Sequence, residues 1–266
     1  MDTITRRNFL KFSSAGVLGA AGLAATIGSQ PRQTNLPAGQ SNGPGDHGHD
    51  MYMPAVNGDV DYAANGFNPT DTLTDFDYGT VSTLPDGRTL REYRVIAGDK
   101  DIEIVPGLKF SAWTYNGRIP GPTLRATEGD RIRVHFTNGS AHPHTMHFHG
   151  IHSGEMDGVF EIVPSGSSFT YEFDALPFGC HQYHCHNSPL AKHIAKGLFG
   201  AFIIDPKQGR PKVDHEFVMV QAGYDVDFDG QNDFYHVNGI PFHYSRHPIK
   251  FKVGESVRIY LINMLE

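Results

Sequence analysis

Cysteine and tryptophan are scarce in this chain, two of the first and one of the second among 266 residues. Two cysteines cannot build a disulfide framework. Long apolar runs are missing too: the mild stretch from Phe12 to Gly28 is interrupted by glycines and serines and is too weak to span a bilayer comfortably, so stable membrane insertion is not expected. Basic residues are outnumbered, 22 Lys and Arg against 29 Asp and Glu, for a formal charge of -7. A leader carrying Arg6, Arg7, Lys11 and Asp2 would take away a net +2 and leave -9, a charge that argues against nucleic acid as a partner. What is plentiful is 30 Gly, 17 Pro, 18 Phe and 11 Tyr, a composition suited to short strands and turns, so the expected fold class is all-β. Sixteen histidines in one chain point to metal.

The N-terminal run Thr5-Arg6-Arg7-Asn8-Phe9-Leu10-Lys11, followed by an Ala/Gly/Ser-rich apolar stretch, resembles a twin-arginine export signal occupying residues 1–30. It implies a periplasmic or secreted protein. Residues 31–70 are rich in Gly, Pro, Asn and Asp without periodicity and read as a flexible arm or linker. His47, His49, Met51 and Met53 alternate within it and have copper-compatible donors, but ordering a flexible arm costs entropy, and a solvated arm is the expectation.

Short alternating runs then predict strands at Arg131–Phe136 and Ser168–Phe173, and the near-continuous apolar Leu198–Ile204 predicts another. Turn chemistry at Asn116–Pro122 and Glu128–Asp130 separates them, so residues 71–206 read as one β-sandwich domain. Phe217–Val220, Ile249–Val253 and Ser256–Ile262 read as strands of a second domain, 207–266, that begins but does not finish. The expectation is a C-terminally truncated sequence.

Nine of the sixteen histidines fall between residues 142 and 193, together with Cys185. Successive side chains on a strand point to opposite faces, so His147 and His149 share a face, as do His184 and His186. Four imidazoles can converge there. Cys185 must point the other way, His144 does so if its stretch is extended, and His193 can return across the loop from Asn187 to Lys192. A His2Cys set with at most a weak axial ligand suits a blue copper electron-transfer centre. Cys185 is covalently flanked by two ligands of the histidine site, which gives electrons a short through-bond path and makes dioxygen the natural final acceptor.

The segments HPHTMHFHGIH, MDGV, YHCHNSPLAKH and GLFGAFIIDP resemble the copper-binding segments of multicopper oxidases. Blue copper in the first domain is similar to the two-domain, trimeric, laccase-like branch, which implies a cupredoxin-like Greek-key β-sandwich. The resemblance implies that His144, Cys185 and His193 are type 1 copper ligands, His147 a type 2 ligand, and His149, His184 and His186 type 3 ligands. At the axial position it places Leu198, which cannot ligate and should raise the potential. Asp157 resembles the family's carboxylate beside the cluster, which helps protonate reduced oxygen; its plainer role is a turn aspartate before Gly158. The implied activity takes single electrons from phenols or metal ions at type 1 copper and reduces dioxygen to water at the three-copper cluster.

His142, His152 and His181 fit no ligand position and read as supporting or surface residues, His135 as an outward strand residue, and Cys180 as a small buried hydrophobe. Copper nitrite reductases are related, but they carry an aspartate where this chain has His147 and a non-ligand where it has His186. A simple electron-transfer or copper-binding cupredoxin would not need the four clustered histidines. The second domain stops before two H-x-H pairs that should complete the cluster; His215, His236, His243 and His247 lack that spacing. In two-domain relatives those ligands come from a neighbouring subunit, which implies a homotrimer with clusters at its interfaces. The chain by itself is expected not to reduce dioxygen.

Overall fold

A computed structural model describes residues 58–265. The export-signal stretch and His47, His49, Met51 and Met53 lie outside the described residues. Part of the stretch read as a flexible arm is instead folded. Helical turn α1 (Tyr62–Asn65) starts at Asp61, whose carboxylate accepts from Ala64 N at 2.9 Å, and ends at left-handed Gly66. Turn α2 (Pro69–Thr72) is capped by Asn68 and begins with proline. Two apolar side chains in this polar stretch, Val60 and Phe67, are buried in a core cluster. Composition hid this anchoring because two buried residues among many polar ones barely change the average.

Three sheets follow. The first runs β1 (Phe76–Asp77), β5 (Thr123–Thr127), β10 (Phe199–Asp205), β9 (Gly179–His184) and β7 (His147–Phe148). The second runs β2 (Thr80–Thr83), β3 (Thr89–Val105), β6 (Arg131–Asn138) and β8 (Ser168–Asp174), with β4 (Leu108–Tyr115) paired to the far half of β3. The third runs β13 (Ile240–Pro241), β12 (Phe234–Val237), β11 (His215–Tyr224) and β14 (Val257–Asn263). Two more short helices complete the described elements, α3 (Leu190–Ala195) and α4 (His243–Arg246). No helix among the described residues is long and apolar enough to cross a membrane.

Alternation explains the packing. In β6, Ile132, Val134 and Phe136 point inward, while Arg131, Arg133 and His135 point outward and pair with Glu172, Asp174 and Glu92. The inward residues meet Tyr171 and Phe173 of β8 and, from the first sheet, Leu124, Phe148, Tyr183 and Phe202 in one core. The near-continuous apolar run in β10 has a different cause: both of its faces are covered. Phe202 and Ile204 enter that core, whereas Phe199, Ala201 and Ile203 enter a second one with Val218, Val220, Tyr260 and Ile262 of the third sheet.

The expected strand Ile249–Val253 is not formed. Phe251 and Val253 are exposed, and among the described residues no strand pairs with this segment, so alternation alone had nothing to bind to. Cys180 is likewise exposed rather than buried: pleating puts it with Gln182 on the face away from Cys185, near the open start of β9.

One ion network ties β5, β10 and β11 together. Arg125, with 9% of its side chain exposed, bonds Asp205 and Glu216, each at 2.7 Å, while Phe76 lies 4.8 Å under the guanidinium. Removing this nearly buried cation leaves Asp205 with Arg210 and Glu216 with Arg258 as their remaining cationic partners, so Arg125→Met should cost about 2 kcal/mol. Chemical denaturation of the apo protein would measure this; a loss below about 1 kcal/mol would assign the network no more than a surface role.

Candidate metal centre

The pocket around Cys185 draws on three separate elements. Cys185 follows β9, His193 sits in α3, and His144 lies in an extended loop held by a β-bridge to Val163. All three are buried. Cys185 Sγ lies 3.2 Å from His193 Nδ1 and 3.8 Å from His144 Nδ1, and the two ring nitrogens are 3.1 Å apart. Ser140 Oγ donates to Asp99 at 2.7 Å and lies 3.0 Å from His144 Nε2. With its proton committed to the carboxylate, the hydroxyl accepts from Nε2–H, which leaves a lone pair on His144 Nδ1 facing the thiol. Lone pairs turned toward one another in a dry pocket are costly without a shared ion, so this donor set fits a soft transition metal, copper above all.

Asp99 and Ser140 were not singled out from sequence. No local signal marks them: the pair are separated by 41 positions and meet only when β3 stacks beside the loop before His144. Leu198 is fully buried in the same core cluster as Cys185, and its carbonyl accepts from Cys185 N at 2.9 Å. Thr145 N donates to Cys185 Sγ at 3.3 Å, and Thr145 Oγ1 accepts from His186 N at 2.8 Å. This one residue therefore touches both sides of the Cys-His junction.

On the other side His147, His149 and His184 bring one nitrogen each to within 4.8 Å of one another. His147 opposes His184 across the β7–β9 ladder. His147 Nδ1 donates to the Asp157 carbonyl at 2.6 Å and His184 Nδ1 to the Cys185 carbonyl at 3.0 Å, which leaves both Nε2 atoms as ligands. His149 Nε2 and His184 Nε2 face each other at 3.0 Å. The His186 ring lies 5.0 Å from that of His147, and its buried Nδ1 has no hydrogen-bond partner. An orphaned buried nitrogen beside three convergent imidazoles is what a further ligand position requires.

Asp157 orients His147 through its backbone carbonyl, while its carboxylate accepts from Val159 N at 2.9 Å in a local turn. The remaining histidines go elsewhere. His135 pairs with Glu92, His142 stacks on Trp113, His152 packs on Phe173 and His181 bonds the Pro177 carbonyl. His215 pairs with Glu255, His236 stacks on Tyr224, His243 bonds Tyr62 and Thr70, and His247 pairs with Asp59. Asp225, Asp227 and Asp229 also cluster, but backbone N–H groups of their own turn occupy these carboxylates.

Burial pushes His144, His184 and His193 down to about 4 from an ordinary 6.5, and pushes the Cys185 thiol up. The rings are therefore neutral and ready to ligate at neutral pH, whereas the thiol must give up its proton to bind metal. The unfolded chain takes up protons below 6.5 that the folded rings refuse until about 4. Apo-protein stability should hold above pH 6.5 and fall steadily as pH drops toward 4. Thermal melting of the apo form across that range checks the sign; a midpoint that rises on acidification would contradict it.

A sequence model described as multicopper oxidase matches residues 97–209. A solved multicopper oxidase is 60% identical, with a TM-score of 0.76 over 78% of this chain and 74% of that one. This chain belongs to the multicopper oxidase family. Among curated relatives of this multicopper oxidase chain, the copper-containing nitrite reductase of Neisseria meningitidis is 32% identical over 184 residues, 62% of this chain and 48% of that protein. Laccase-2 of Botryotinia fuckeliana is 37% identical over 137 residues, 48% of this chain and 23% of that protein. The chain thus spans about half the length of the nitrite reductase it matches.

Proposed function

We propose that this multicopper oxidase chain takes electrons singly from phenols or metal ions at a type 1 copper and passes them to a three-copper cluster that reduces dioxygen to water. Cys185, His144 and His193 would hold the type 1 ion; His147 would ligate type 2 copper, and His149, His184 and His186 the type 3 pair. Copper supplies the one-electron redox change at the first site and dioxygen binding at the second. The observation that carries this reading is the back-to-back arrangement of two donor sets joined at Cys185.

The chain's own residues account for the rest. Cys185 links covalently to His184 and His186, and the bond from His184 Nδ1 to the Cys185 carbonyl closes a second short path. The Asp157 carbonyl fixes the His147 tautomer, and its carboxylate is the nearby titratable group assigned to proton delivery. Leu198 leaves the type 1 ion without an axial sulfur, which favours a high potential.

The proposed assembly is a homotrimer in which a neighbouring copy completes the cluster. Apolar side chains beside the His147–His149 loops support it: Ile151, Phe160, Ile162, Leu176 and Phe178 are all exposed, as expected of a surface that another copy covers. The resemblance of residues 1–30 to a twin-arginine export signal supports a periplasmic or secreted location.

Nitrite reduction is the second reading, favoured by similarity to proteins of that name. The four imidazoles weigh against it, since a single type 2 copper leaves His186 without a task. Oxygen uptake by the copper-loaded full-length gene product, with a phenol as donor, tests the choice. Uptake without nitrite consumption is expected; nitric oxide formed from nitrite with no oxygen uptake would transfer the function to the second reading. Light scattering should give the mass of three chains, and a monomer would remove the interface cluster.

A further inference from the structure

Both nitrogen donors of the Cys185 pocket are closed to solvent, His144 fully buried and His193 only 4% exposed. An electron donor outside the protein cannot touch either ring. What lies against them is Trp113 of β4, the chain's single tryptophan. Its ring centroid is 4.7 Å from that of His193 and 5.1 Å from that of His144. On its outer side it meets the exposed His142 at 4.8 Å, and the ammonium of exposed Lys192 lies 5.7 Å over the indole. Trp113 N donates to the Lys196 carbonyl at 2.9 Å, which clamps β4 to the end of the helix carrying His193. The indole and the ligand ring are therefore held in one rigid unit. Indole is not a copper ligand, and an aliphatic side chain would seal the pocket equally well, so retaining the metal does not explain this placement.

We propose that Trp113 is the electron-entry residue: a phenolate docks on the exposed His142 and Lys192 over the edge of the indole, itself 9% exposed, and its electron crosses the indole to His193. This deepens the oxidase reading and rests on it. Lys192 supplies the positive charge that draws a phenolate rather than a cation to this face. One electron leaves the phenolate, which becomes a phenoxyl radical, and reduces the cupric ion held by Cys185, His144 and His193 to cuprous. The indole mediates through its π-system, makes or breaks no bond, and ends unchanged. Trp113 is a positioning residue rather than a ligand.

The test uses the full chain loaded with copper and made anaerobic, with the hydroquinone monoanion at alkaline pH as donor and bleaching of the blue band followed by stopped flow. Trp113→Leu should keep the band position and reduction potential while slowing bleaching about tenfold, and Trp113→Tyr, which restores a ring, should recover most of the rate. Cupric titration of the wild-type chain should quench its tryptophan emission. A leucine variant with an intact band and a wild-type rate overturns the relay, as does unquenched emission. Should the leucine variant fail to take up copper, His142→Ala on the solvent side carries the test; about threefold slowing is expected, and no slowing overturns the proposal. A wild-type chain that binds copper without a blue band overturns the oxidase reading itself, so the two failures are distinct.

Discussion

Cys185→Ser should abolish the blue absorption completely while copper remains at the histidine site. The buried thiol stands 3.2 Å from His193 Nδ1 and 3.8 Å from His144 Nδ1, and Cys185 is the one cysteine of this donor group. A serine hydroxyl does not ionise near neutral pH and is a hard oxygen donor, so neither the thiolate charge nor its soft bonding survives. The histidine site keeps all four of its imidazoles, because pleating turns residues 184 and 186 away from residue 185. Copper analysis together with visible and electron paramagnetic resonance spectra should show exactly one class of ion lost. Retained colour would remove Cys185 from the blue site, and loss of both ion classes would refute the independence of the two pockets. Melting of the apo variant is the control for folding, since the exchange changes one atom in a dry core.

Gly158→Ala should have the opposite selectivity, damaging the histidine site while leaving the blue centre in place. Gly158 has φ +77°, and a Cβ there would stand 2.1 Å from the Met146 carbonyl oxygen and 2.8 Å from His147 N. Both neighbours are backbone, so no rotamer change relieves the clash. The chain must retreat, which breaks the bonds from Phe148 N and His147 Nδ1 to the Asp157 carbonyl. The strained backbone and lost bonds together should destabilise the apo protein by about 3 kcal/mol. His147 would lose the partner that fixes its tautomer, and type 2 copper content should drop while the blue band persists. Thermal unfolding and copper stoichiometry measure the two effects. A stable variant with full copper content would mean that the turn at Asp157 has no part in positioning His147.

Much of the site was legible because its information is local. In HPHTMHFHGIH and YHCHNSPLAKH the donors are spaced by small numbers of residues, and the two-residue period of a strand converts spacing into facing without knowledge of the rest of the chain. The same rule located β6, β8 and β10. It failed at Ile249–Val253, where the alternation is as regular as in β6 but no partner strand accepts it. It also missed the buried Val60 and Phe67, because their burial depends on what lies opposite rather than on their neighbours in sequence.

The sequence by itself determined the all-β class, the soft and nitrogen-rich donor set, and the opposite facing of Cys185 and its two flanking histidines, because each follows from composition or from the pleat. Tertiary structure decided which atoms serve the donors: Ser140 and Asp99 set the His144 tautomer, the Asp157 carbonyl orients His147, and Trp113 packs on the histidines of the Cys185 pocket. These partners come from distant strands and loops, and packing of the sheets brings them together with no repeat or spacing to announce it.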